Sequence, residues 1–340
     1  MRVLVTGLGS VWGSRVALAL EQEPSVELVV GVDTDEPELA LATTEFVRVD
    51  PTYSLLQRIV AAARVDTILH LHTITDSSQV GRRALHETNV IGTANLLAAA
   101  AAGEVRKLIV KSSTHVYGST FEDPYWFRED TPRKRPPSDR LERSLVEADD
   151  MVSELVEDDR RVMVTRLRFA DVLGADVESA FSRVLQLPVV PEVLGFDPRL
   201  QFLHEHDAVA AVVFATVNQV PGVFNVAGDG IMPWSEVCAV SGKRRVPLPP
   251  LLTAWAVEPL RRLRLAPIPS EMLRVLRYGR AVDTSRYQRA GFRFTHTTAS
   301  AVDDFAQWLR LHLTVGDAPE YRYEREPETF LWRAPAVVRD

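Results

Sequence analysis

Residues 2–13, RVLVTGLGSVWG, place the tightest constraint on the fold. A strand-like run, Arg2–Thr6, stops at three closely spaced glycines, Gly7, Gly9 and Gly13, and helical periodicity starts among them. A strand that turns through glycines into a helix lets the backbone approach a pyrophosphate, which then rests on the helix N-terminus. The same alternation recurs along the chain. Glu27–Val32, Phe46–Val49, Thr67–Leu71, Lys107–Lys111 and Val162–Arg168 are short, mostly apolar runs, as strands buried on both faces are. Val11–Gln22, Tyr53–Ala63, a segment near 78–102 and Arg140–Glu157 carry helical spacing between them. This repetition predicts an α/β fold, a Rossmann-like doubly wound parallel sheet with its ligand at the carboxyl ends of the strands.

The regular pattern ends at Gly174. Prolines then cluster at Pro188, Pro191, Pro198, Pro247, Pro249 and Pro250 among shorter elements. Residues 1–174 are expected to form the dinucleotide-binding domain. Residues 175–330 would be mainly a smaller substrate-binding cap with segments that return to the sheet, and 331–340 a tail. Residues 119–138, STFEDPYWFREDTPRKRPPS, form a lid-like insertion, and a loop this long in a compact domain is usually functional or disordered. The net charge of −7 disfavours a nucleic-acid partner. One cysteine, Cys238, leaves no internal disulfide or cysteine-built metal centre. The longest apolar stretches, such as Ala208–Val217, are too short for a bilayer. With strand-like sequence starting at Arg2, no leader is evident and a cytoplasmic location is expected.

Several segments together carry a family likeness. TGLGSVWG is similar to a TGxxGxxG fingerprint, with Ser10 at the middle glycine. DTILHLHT, NVIGTANLL, KLIVKSSTHVYG, FLHEHDAVAAVVFA and GVFNVAGDG extend the match. Over nearly its whole length the chain resembles extended short-chain dehydrogenases, the NAD-dependent epimerase/dehydratase family. The resemblance implies an NAD(P)H cofactor across the strand ends. Gly7, Gly9, Ser10, Val11, Trp12 and Gly13 would grip it, and Leu71, His72, Thr73, Lys111 and Phe169 would line its path. Asp33 would hold the adenosine ribose and Asp50 the adenine. A carboxylate at Asp33 repels a 2′-phosphate, which favours NAD over NADP.

The resemblance makes Ser113 the catalytic serine, with Thr114 a neighbouring donor. The family's Tyr-x-x-x-Lys pair, however, is missing. The four lysines are Lys107, Lys111, Lys134 and Lys243, and none has a tyrosine four residues before it. If Glu147 matches the glutamate that follows this pair, Asp139 and Arg143 stand in its place. An ionised aspartate does not donate a proton, and arginine stays charged. Asp139 reads equally well as a helix N-cap. His115 is a candidate substitute acid. His70-x-His72 and His204-x-His206 have metal-like spacing, but without a carboxylate and further ligands converging on them no metal is expected.

Phe121, Tyr125, Trp126 and Phe127 of the insertion, with His115 and Tyr117, would border the substrate, and Trp234, Trp255 and Met272 could join them from the cap. Such aromatics suit a flat, hydrophobic partner. The expected activity is an atypical ketoreductase acting on an aromatic polyketide-type ketone, similar to tyrosine-lacking angucyclinone ketoreductases. The alternatives are a nucleotide-sugar epimerase or dehydratase, which needs a base, and a non-catalytic dinucleotide-binding regulator. Helices near 78–102 and 140–157 would serve a homodimer.

Overall fold

A computed structural model describes residues 1–49, 53–78, 80–158, 161–250 and 268–315. Asp50, Trp255 and the 331–340 tail lie outside them. The central sheet contains β1 (Arg2–Thr6), β2 (Leu28–Asp33), β3 (Glu45–Arg48), β4 (Thr67–His70), β5 (Lys107–Ser113), β6 (Met163–Phe169) and β11 (Gly222–Val226). Its order is β11-β6-β5-β4-β1-β2-β3, and every pairing is parallel. The chain winds outward from β1 to β3, then restarts on the other side of β1 with β4. The crevice for a ligand therefore opens above the carboxyl ends of β1 and β4. This is the doubly wound sheet that the apolar runs predict, with ends shifted by one or two residues.

Strand alternation divides the core. Val3, Val5 and Ile109 point to one face, under α1 (Val11–Leu20) and α7 (Glu205–Val217). Leu4, Ile68, Leu108 and Val110 point to the other, under α2 (Tyr53–Ala62), α4 (Thr93–Ala102) and α5 (Arg140–Asp158). The long helix expected near 78–102 is interrupted. A short α3 (Arg82–His86) passes through a π-helical stretch, Glu87–Gly92, into α4. The buried Asn89 of that stretch donates to Ile74 O at 2.9 Å and Ser144 Oγ at 3.1 Å, and accepts from Ile74 N at 2.8 Å. It thereby fixes the loop after β4.

A second apolar cluster gathers Phe181, Phe202, Trp234, Met272 and Val302 beyond the strand ends. It is built around α6 (Ala180–Gln186), the parallel pair β8 (Val189–Val193) and β13 (Arg244–Leu248), and α8 (Trp234–Val240). Trp234 Nε1 donates to Pro191 O at 2.9 Å, which satisfies the indole buried there. The chain beyond Gly174 serves both layers, because α7 and β11 lie against the main sheet. No helix among the described residues is long and apolar enough to cross a membrane.

One buried ion network sets the rotation of α5. Asp149 accepts from Ser112 Oγ at 2.8 Å, Arg166 Nη1 at 2.6 Å and Arg168 Nη2 at 2.5 Å. Burial alone would push this carboxyl up. The Arg168 and Arg166 guanidiniums, with these hydrogen bonds, outweigh it and hold the carboxyl below its ordinary value. A depressed folded-state pKa stabilises the fold above the ordinary aspartate range, and that stability is lost as pH falls through the folded value. Asp149→Ala is expected to cost about 3–5 kcal/mol by chemical denaturation at neutral pH, because two guanidiniums lose their partner. The difference from wild type should shrink in acid.

Candidate cofactor and active site

Three backbone requirements shape the first turn. Gly7 has φ +82°, and a Cβ there would meet His72 N at 2.8 Å. A Cβ on Gly13 would meet Gly7 O at 2.0 Å, so the helix can start this close to the strand only with glycine. Ser10 caps α1: its Oγ accepts from Gly13 N at 3.0 Å and donates to Gly7 O at 2.8 Å. At the end of β2, Asp33 accepts from Gly9 N at 2.9 Å and from Thr34 N at 2.7 Å. The glycine turn, the open start of α1 and this carboxylate fit the phosphates and ribose of a dinucleotide.

A cavity of about 400 Å³ lies beside that turn. Ser10, Val11, Trp12, Thr73, Lys111, Ser113 and Phe169 line it from the sheet side. Seven of the expected site residues thus converge. Trp12 and Phe169 meet edge to face at 5.0 Å. Leu71 is buried beneath them, and His72 Nδ1 has no hydrogen-bond partner among the described residues. Thr73 Oγ1 donates to Lys111 O at 3.1 Å, tying the loop after β4 to β5. Ser113 Oγ accepts from His115 N at 3.2 Å and makes a long contact with Phe169 O at 3.5 Å.

The far wall was not legible in the sequence. Asp76, Asp171, Asp176 and Glu178 contribute carboxylates there. Arg183 pairs with Asp76 and, at 2.8 Å, with Glu178. Arg15 pairs with Asp176 and, at 3.0 Å, with Glu205. Asp171 lies 3.7 Å from His115 Nε2 and 3.4 Å from Arg280 Nη2. Burial raises the Asp171 carboxyl, but the hydrogen bond and charge of His115, then Arg280, bring it below the ordinary value. Asp171 also lines a cavity of about 10 Å³ with Thr114, Gln201 and Arg280.

Other expected residues lie elsewhere. Asp139 caps α5, accepting from Glu142 N at 2.8 Å, and its other oxygen pairs with Arg274. Arg143 is exposed. Neither lines the cavity. With Asp149 buried, the same i, i+4 spacing on the inward face of α5 falls on Leu141 and Leu145, which pack against Tyr117 and Phe127. Tyr117 is itself core: it stacks on Phe127 at 4.9 Å, donates to Asn225 Oδ1 at 2.7 Å and accepts from Arg168 Nη1 at 2.9 Å. Phe121, Tyr125 and Trp126 are 69%, 54% and 38% exposed and do not reach the cavity. Arg135 sits over Phe121 and Arg199 over Tyr125. Among the described residues, these aromatics therefore form no roof over the cavity. Trp234 and Met272 pack in the second cluster.

The histidine pair gains company. His296 joins His204 and His206, with ligand atoms all within 4.8 Å of one another, and Asp304 lies 3.6 Å from His204. The convergence was not expected from spacing. His204 and His296 stack at 3.9 Å with planes 16° apart, however. A metal lies close to the plane of each imidazole that binds it, so one ring would have to rotate before both could share an ion.

The family model described as "NAD dependent epimerase/dehydratase family" matches residues 3–227. The chain belongs to this family. Uncharacterized proteins of Mycobacterium tuberculosis and Mycobacterium bovis are each 34% identical over 311 residues, covering 89% of this chain and 82% of the relative. Among solved structures, the chain is similar to UDP-glucuronic acid 4-epimerase from Bacillus cereus in complex with NAD. That match has a TM-score of 0.70, 18% identity and coverage of 92% of this chain and 99% of the other. It is also similar to dTDP-glucose 4,6-dehydratase from Bacillus anthracis in complex with NAD, at TM-score 0.68, 18% identity and coverage of 92% and 97%. UDP-glucose 4-epimerase from Thermus thermophilus, in complex with NAD, gives TM-score 0.69, 20% identity and coverage of 94% and 100%. At these identities the likeness shows the fold, a Rossmann-like α/β sheet shared with epimerases and dehydratases.

Two substitutions test the placement of the α5 residues. Arg143→Ala should leave stability within about 0.5 kcal/mol of wild type, as exposed positions do. Asp139→Ala should lose about 1–2 kcal/mol through its cap. Both are read from denaturation midpoints.

Proposed function

We propose that this chain is an NAD-dependent oxidoreductase acting on a hydroxylated substrate of the nucleotide-sugar kind, as an epimerase or dehydratase does. The observation that carries the reading is the lining of the cavity. Among apolar Val11, Ile74, Val172 and Val177 it presents the hydroxyls of Thr73, Thr75, Ser113 and Ser179 and the carboxylates of Asp76 and Asp171, while the exposed aromatics of the insertion lie outside it. These hydroxyls and carboxylates give a polyol hydrogen-bond partners that a flat hydrophobic ketone would not use. The membership of the epimerase/dehydratase family supports the same choice.

Each part has a physical task. Gly7, Gly9, Ser10 and Gly13 hold the phosphates at the start of α1, and Asp33 holds the ribose. The carboxylate already engaged with Gly9 N favours NAD over NADP. When bound, NAD supplies the acceptor and donor of hydride. Ser113 hydrogen-bonds the oxygen on the reacting carbon. Trp12 and Phe169 form an apolar wall that keeps water from the reacting face.

The test is direct. Purified protein with NAD and a panel of UDP- and dTDP-hexoses should yield altered sugar nucleotides by chromatography, and Ser113→Ala should reduce the rate about 10²–10³-fold. Asp33→Ala should weaken NAD about 10–100-fold in calorimetry, the cost of a charge-assisted hydrogen bond. NADH consumption with aromatic ketones, and none with sugar nucleotides, would favour the reductive reading instead. Binding of NAD with no turnover on either panel would leave a dinucleotide-binding regulator.

A further inference from the structure

Lys111 differs from the lysines around it. Lys107 donates to Thr216 O at 2.5 Å and Asn218 O at 2.6 Å, which ties it to the end of α7. Lys134 donates to Glu122 O on the exposed insertion. Lys111 instead projects into the 400 Å³ cavity. It stands two residues before Ser113 on β5, so strand alternation puts both side chains on one face. Its Nζ lies 4.8 Å from the centre of the Trp12 ring and makes one long contact, 3.4 Å, with Thr73 O. Among the described residues no carboxylate pairs with it, although Glu38, Asp76, Asp171, Asp176 and Glu178 line the same cavity. The last four are held by Arg15, Arg183, His115 and Arg280.

We propose that Lys111 is the proton-transfer residue of this site, taking the place of the tyrosine that the family uses. This rests on the oxidoreductase reading above. In the oxidative direction the substrate O–H bond breaks and its proton goes to the lone pair of neutral Nζ. The carbinol C–H bond breaks with its electron pair, which leaves as hydride to oxidised nicotinamide, and a C=O bond forms. The carbinol is oxidised, the nicotinamide is reduced, and the proton stays on the lysine as ammonium. The return step reverses each of these.

The surroundings suit that task. Burial without a counter-charge pushes the Lys111 ammonium down to about 8, so both forms are populated near neutrality. Leu141 and Leu145, at the i, i+4 spacing of the missing relay on the inward face of α5, carry no transferable proton. A role as a fixed cation for phosphate would need the opposite environment, one that keeps the lysine charged.

Competitive acetylation of the whole protein across pH, read peptide by peptide by mass spectrometry, measures the titration of each lysine. Lys111 should show a midpoint near 8. Adding NAD⁺ should lower that midpoint further, because the positively charged nicotinamide opposes a neighbouring ammonium. A midpoint at the ordinary lysine value of about 10.4, or one that rises with NAD⁺, would overturn the proposal, since a rise means the amine faces the phosphates. These readings need no substrate, so they stand even where the sugar-nucleotide panel fails. With a turned-over substrate, Lys111→Met and Lys111→Arg should both lose about 10²–10⁴-fold in rate, with the limb of the pH profile near 8 gone. Full rescue by arginine, which holds charge without shuttling a proton, would also sink it.

Discussion

The carboxylate of Asp149 is the constraint from which the site follows. It joins α5 to two strands at once, through Ser112 on β5 and through Arg166 and Arg168 on β6. A helix held at one buried position has its rotation fixed, since each residue turns it by about 100°. Leu145 and Leu141, one and two turns before Asp149, must then face inward, and Arg143 must face out. Sequence comparison through Glu147 puts the helix two residues out of phase. That phase error is about 200° of rotation, enough to move a pair of positions from the core to solvent. The absence of a tyrosine relay is thus matched by two apolar side chains, Leu141 and Leu145, at that spacing.

Much of the fold was legible because buried parallel strands need continuous apolar runs, and such runs are visible one at a time. Val3 to Val5, Ile68 to Leu69 and Leu108 to Val110 announce themselves. The glycine turn was legible for the same local reason: Gly7 and Gly13 answer to atoms within a few residues or to the next strand end. The far wall of the cavity was not. Asp171 meets Arg280 across 109 positions, and Asp76 meets Arg183 across 107. Charged residues at that separation look like any solvated surface until the chain is folded. The insertion misled in a different way. Its aromatic composition gave no direction, and Phe127 goes to the core through a backbone pairing with Val282, while Phe121 and Tyr125 find arginines at the surface.

The charge arrangement in the cavity then has a single logic. Asp76, Asp171, Asp176 and Glu178 are all paired with cations, Asp76 and Glu178 sharing Arg183, and none of them pairs with Lys111. Bringing one of them within ion-pair distance would stabilise the ammonium and raise its pKa, since an opposite charge favours the charged form. A tyrosine acid needs an adjacent cation to lower its pKa from about 10. A lysine needs no such partner, because burial alone lowers it. An uncompensated cation in an apolar wall is costly for stability, and that cost is the physical reason its amine gives up a proton near neutrality. The same strand supplies Ser113 two residues on, so hydrogen bonding to the substrate oxygen and exchange of its proton come from one rigid element. Rigid backbone holds catalytic geometry better than a loop does, and here β5 is clamped on one face by Ser112 and Asp149 and on the other by Trp12 and Phe169. Moving the proton-transfer group from α5 to β5 therefore costs the site no rigidity. It changes only the direction from which the proton arrives.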